Sequence, residues 1–87
     1  MFKNKTESGK SNLIGDKIRQ LRQSQLPKMS QRILSERMQL LGIDVDKNAI
    51  QRLESGERFV TDIELRTLCT IFKVSADTLL DLSNFPS

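Results

Sequence analysis

The sequence predicts an all-α domain of five short helices, on three observations. Apolar residues recur three and four positions apart in successive blocks between residues 13 and 82, the spacing that gathers them on one helix face. Ser30, Asp46, Thr61 and Ser75 stand just ahead of four of those blocks, where a short oxygen-bearing side chain satisfies free backbone N–H groups. No stretch of useful length alternates apolar and polar residues as a half-buried strand does. The 87 residues suffice for one small core and leave little room for a second.

Residues 1–12 are polar, rich in Lys, Ser, Asn and Gly, and read as a disordered tail. The first helix spans about Leu13 to Gln25, with Ile14, Ile18 and Leu21 as its apolar stripe and Arg19, Gln20 and Gln23 facing out. Leu26-Pro27-Lys28 ends it, because the residue before a proline is pushed away from helical geometry. The second helix opens at the N-cap Ser30, turns Ile33, Leu34, Met38 and Leu41 to the core, and stops near Gly42. Ile43-Asp44-Val45 forms the connection to the third helix. Asp46 caps that helix, its carboxylate suiting the positive end of the helix dipole, while Ile50 and Leu53 face inward and Ser55-Gly56 ends it. Two capped amphipathic helices around a short turn are the sequence form of a helix-turn-helix, whose second helix can present side chains to the edges of DNA bases.

Glu57-Arg58-Phe59-Val60 is a loop, and Thr61-Asp62-Ile63-Glu64 is a capping box that opens the fourth helix. Leu65, Leu68, Cys69 and Phe72 follow at helical spacing. Lys73-Val74 leads to Ser75, the cap of a short fifth helix carrying Leu79, Leu80 and Leu82. The ordered domain is thus expected over residues 13–82, with residues 83–87 as a C-terminal tail.

The net charge of +3 does not by itself argue for a polyanionic partner, but its distribution is uneven. Residues 13–42 carry +4, whereas residues 43–60 carry −1 and residues 61–87 carry −2. A basic first half and an acidic last quarter suggest one face for a polyanion and another for something else. The chain has no His and one Cys, Cys69, which excludes an internal disulfide and a Cys-based zinc site and fits a reducing cytoplasm. No apolar run approaches the roughly 18–20 residues that span a bilayer, and the N-terminus does not read as a signal peptide. Without His, a Gly-rich phosphate loop or carboxylates at metal-ligand spacing, catalysis, cofactor binding and metal binding are not expected.

Read together, Ile14-Gly15-x-x-Ile18-Arg19-x-Leu21-Arg22, Met29-Ser30-Gln31-x-x-Leu34-Ser35, Ile50-x-x-Leu53-Glu54-x-Gly56 and Leu65-x-x-Leu68-x-x-x-Phe72-x-Val74-Ser75-x-x-x-Leu79-Leu80 resemble the phage repressor/Cro (XRE) family. No one piece is specific, but all of them in this order make a strong signal over residues 13–82. The resemblance implies a compact five-helix lambda-repressor-like domain with the helix-turn-helix in its second and third helices. By position, Lys47, Asn48, Gln51 and Arg52 look like base-reading residues, Arg and Lys suiting guanine and Asn suiting adenine. Gln31 looks like a glutamine that binds phosphate and braces the third helix. Ser30, Arg32, Arg19 and Arg58 are further candidates for the DNA backbone, and Arg22 and Glu54 match a structural ion pair. The chain departs from the family pattern in a segment between Ser35 and Ile50 that is about five residues longer, extending the second helix by a turn. Ser35 stands where Ala is usual, and Lys73 where Gly is usual.

Leu79, Leu80, Leu82 and Phe85 exceed what so short a helix needs for its own packing, and are expected to form a dimer surface. The expectation is a cytoplasmic, sequence-specific regulator that binds double-stranded DNA as a homodimer. It has no membrane association and no small-molecule effector domain, so a regulatory protein partner is one route of control. The rival expectation is an adaptor or antitoxin-like interaction module on the same scaffold, suggested by the acidic, Leu-rich last quarter.

Overall fold

The computed structural model describes residues 11–80, and among them five α-helices and no strand. They are α1 (Gly15–Gln23), α2 (Gln31–Leu40), α3 (Lys47–Ser55), α4 (Asp62–Phe72) and α5 (Ala76–Leu80). Residues 1–10 of the tail expected at 1–12, the tail expected at 83–87, Leu82 and Phe85 lie outside the described residues.

α3 is the centre of the packing, lying against both α1 and α2; α2 also meets α4, and α4 meets α5. Ile14, Ile18, Leu34, Met38, Ile50, Leu53, Leu68, Phe72 and Leu79 fill the space between them, joined by Met29 and Val45 from the connections. The helical spacings expected to face the core do so in α1, α3 and α4. The caps hold as well: the Ser30 hydroxyl accepts from the Ile33 N–H at 3.1 Å, Asp46 from Ala49 at 2.8 Å, and Thr61 and Glu64 form the reciprocal capping box. The Ser75 hydroxyl likewise accepts from the Thr78 N–H at 3.1 Å, capping α5.

Three expectations need correction. The first concerns where order begins. Asn12, assigned to the tail by composition, accepts from the N–H groups of Ile14 and Gly15 and donates to the carbonyls of Leu53 (3.0 Å) and Arg58 (2.8 Å). It therefore engages the first N–H groups at the start of α1 and ties that helix to the end of α3, and α1 is shorter than expected, with Leu13 exposed ahead of it. The second concerns α2. Leu34 and Met38 are fully buried, but Ile33 and Leu41 are exposed, because the buried arc is centred on Leu34, Ser35 and Met38. The third concerns Leu79, expected on a dimer surface. It is 1% exposed and belongs to the core, since a five-residue helix can dock only by burying its one large inward side chain. Leu80 is half-buried against the same core.

α1 and α3 approach each other closely at Gly15. A Cβ on Gly15 would sit 2.5 Å from the Leu53 carbonyl oxygen and 2.8 Å from that of Glu54. Only glycine lets the two backbones meet there. α3 itself ends on Gly56 at φ 86°, a left-handed C-cap whose N–H returns to the Leu53 carbonyl at 3.1 Å.

Candidate nucleic-acid interface

α3 has two chemically distinct faces. Ala49, Ile50, Leu53 and Glu54 are buried, whereas Lys47, Asn48, Gln51 and Arg52 are all exposed. Positions i, i+1, i+4 and i+5 share one side of a helix, so the four sequence-predicted base readers form a single polar strip. Among the described residues none of the four makes a side-chain hydrogen bond or an ion pair, so their donors point into solvent.

What fixes the opposite face is a buried charge. Glu54 is fully enclosed, with a side-chain exposure of 0%, and Arg22 beside it is 12% exposed. Arg22 Nε donates to Glu54 Oε2 at 2.7 Å and Nη2 to Oε1 at 2.9 Å, a bidentate fork that ties α1 to the last turn of α3. Arg22 Nη1 also donates to the Met29 carbonyl at 3.0 Å, so the same guanidinium fastens the α1–α2 connection. Gln31 Nε2 donates to Glu54 Oε1 at 3.1 Å, and Arg19 Nε lies 3.6 Å from that oxygen with its side chain half out in water. The structure thus brings together four residues singled out by sequence: Arg19, Arg22, Gln31 and Glu54. Three cationic or amide donors at the mouth of one carboxylate satisfy it fully, and no described buried side-chain polar atom lacks a partner.

Other expected backbone-contact residues are placed differently. Ser30 is the N-cap of α2, with its hydroxyl engaged there. Arg32 is exposed and pairs one turn along with Glu36 at 3.2 Å, a weak surface interaction. Arg58 has a structural partner that the sequence did not reveal. Its Nη1 and Nη2 donate to the two oxygens of Glu64 at 2.8 and 2.7 Å. Glu64 also accepts from the Thr61 N–H at 3.1 Å. The Arg58 hydrogen bonds, with the Thr61 N–H in support, hold the Glu64 carboxyl below the usual carboxylate range, against the opposing effect of burial. The same bonds raise Arg58 and keep it charged. This pair pins the α3–α4 loop to the start of α4.

Two of these features escaped sequence reasoning for different reasons. Asn12 had a local signal, an Asn ahead of an apolar stripe, that was masked by the polar residues around it. The Arg58–Glu64 pair had none, because one partner lies in a loop and the other on a helix, so no single periodic element relates them. Burial pushes the Cys69 thiol up, so the thiolate is disfavoured. Among the described residues no cluster of His, Cys, Asp or Glu is placed to hold a metal ion, and no helix is long and apolar enough to cross a membrane.

The described residues define an all-α fold of five helices with an exposed polar strip on α3. Comparison with family models, curated proteins and solved structures finds no match.

Proposed function

We propose that this protein is a sequence-specific, double-stranded-DNA-binding transcriptional regulator that acts as a homodimer and represses by occupying its operator. The observation that carries this reading is the α3 strip of Lys47, Asn48, Gln51 and Arg52, exposed and unpaired on a helix whose other face is held by a buried ion pair. In the reading, α2 and α3 are the helix-turn-helix and α3 enters the major groove. Arg52 and Lys47 then address the O6 and N7 acceptors of guanine, and Asn48 the N6/N7 edge of adenine. Arg19, Gln31 and the N-terminus of α2 at Ser30 take phosphates, which position the protein without specifying sequence. Two copies on a pseudo-palindromic site would place equivalent helices about 34–36 Å apart on one side of the duplex.

The test is selection of a preferred sequence from a randomised duplex pool. Fluorescence anisotropy on that duplex and on its scramble, at two salt concentrations, then measures the preference. The expected result is a preference of about 10³ or more with a steep salt dependence. Arg52→Ala should cost roughly 1–3 kcal/mol on the selected duplex and almost nothing on the scramble. No selectable sequence, with weak and equal binding to every duplex, would overturn the reading in favour of a protein-interaction module.

A further inference from the structure

α3 is held at its two ends by different means. Its last turn is fixed by the Arg22–Glu54 fork and by the Asn12 amide on the Leu53 carbonyl. Its start hangs from the lengthened connection that follows α2, and that connection is braced. α2 closes in a Schellman motif: the Gly42 N–H returns to the Gln39 carbonyl at 3.0 Å and the Ile43 N–H to the Met38 carbonyl at 2.9 Å, with Gly42 at φ 90°. The Val45 side chain is buried, and Asp46 next to it caps α3. Across the connection, the Gln39 side chain reaches forward and its Nε2 donates to the Val45 carbonyl at 2.7 Å.

We infer that Gln39 is a positioning residue for the base-reading strip of α3, acting through Lys47 and Asn48. Its amide is a strut between the last turn of α2 and the residue that precedes the α3 N-cap. Lys47 and Asn48 follow at once in the first turn, whereas Arg52 lies in the last turn, beside the Arg22–Glu54 tie. Loosening the start of α3 therefore displaces Lys47 and Asn48 more than Arg52. A longer connection has more freedom to lose, and contacts to base edges tolerate little displacement, so a lengthened connection needs such a strut. Gln39 is neutral and acts from α2, so the role requires no contact of its own with DNA. It rests on the DNA reading proposed above.

Gln39→Met keeps the length and charge of the side chain and removes the donor. On the duplex selected by wild type it should weaken binding roughly three- to tenfold, the share of one hydrogen bond, and leave binding to the scramble unchanged. Double-variant cycles separate positioning from plain stabilisation. Added to Lys47→Ala/Asn48→Ala, Gln39→Met should cost little more, because the contacts it positions are already gone. Added to Arg52→Ala, its loss should multiply. Equal losses on both duplexes, or losses that multiply in both backgrounds, overturn the role. Hydrogen exchange of the whole protein without DNA reads the strut itself. In Gln39→Met the Ala49 and Ile50 amides, both bonded to Asp46, should exchange up to about tenfold faster, while the Glu57 amide, bonded to the Arg52 carbonyl, keeps its wild-type rate. Unchanged rates at Ala49 and Ile50 overturn the strut whatever the protein binds. If those rates rise and no duplex can be selected, the DNA reading falls and takes the positioning role with it.

Discussion

Removing the carboxylate of Glu54 should come close to unfolding the protein. Glu54→Ala deletes the acceptor of two Arg22 hydrogen bonds at 2.7 and 2.9 Å and of the Gln31 bond at 3.1 Å. The Arg22 guanidinium, 12% exposed, is then left with the Met29 carbonyl and no counter-charge. Breaking one half of a buried pair typically costs about 3–5 kcal/mol, most of it the stranded charge. A domain of this size has a total stability of roughly 4–13 kcal/mol. The melting temperature should therefore fall by at least about 12 °C. Urea unfolding followed by far-UV circular dichroism measures the loss directly. Arg22→Met/Glu54→Met, which removes both charges and keeps apolar volume, should be clearly more stable than either single variant, with a coupling of about 2 kcal/mol. A loss below about 1 kcal/mol for Glu54→Ala would put the pair in the class of exposed surface bridges and refute the reasoning.

Three further outcomes are expected. Gly15→Ala should destabilise by about 1–3 kcal/mol in thermal melts, despite alanine's better helix propensity, because its methyl meets two α3 carbonyl oxygens; a gain in stability would show that α1 can back away from α3. Lys73, a non-glycine C-cap at φ 56°, should give about 0.5–1 kcal/mol of stabilisation when replaced by Gly, and a loss would mean that its side chain matters more than its backbone. The depressed Glu64 carboxyl contributes stability that is fully present above its ordinary value of 4.5 and is lost as pH falls through its lower folded value. Arg58→Met should accordingly cost about 1–2 kcal/mol at neutral pH, and its deficit should shrink as pH is taken below about 4 in denaturant titrations. A deficit that does not change with pH would assign the effect to packing instead of charge.

The elements of this fold were largely legible because their signals are local. Ser30, Asp46 and the Thr61–Glu64 box each act within one helical turn, and each caps the helix it precedes. The polar strip on α3 was legible for the same reason, since four exposed positions and four buried ones follow from a period of 3.6 residues once Ile50 and Leu53 are placed inside. The Arg22–Glu54 pair, 32 residues apart, was reached through resemblance to a family pattern and not through spacing. At the edges of elements the reading failed. On α2 the periodicity admits either side of the Leu34–Met38 line, and only the neighbouring helices decide that Ile33 and Leu41 stay outside.

By itself the sequence determined the helical class, the order of the helices and the residues offered on each of them, because periodicity and capping are properties of a few adjacent side chains. The tertiary structure alone decided the role of each offered residue. Leu79 goes to the core where α5 closes against α4, and Asn12 leaves the polar tail to bridge α1 and α3. Arg58 turns to Glu64, and Leu40 is left bare. Each of these outcomes depends on which distant surface arrives opposite a side chain. That is set by the joint packing of all five helices and has no period along the chain.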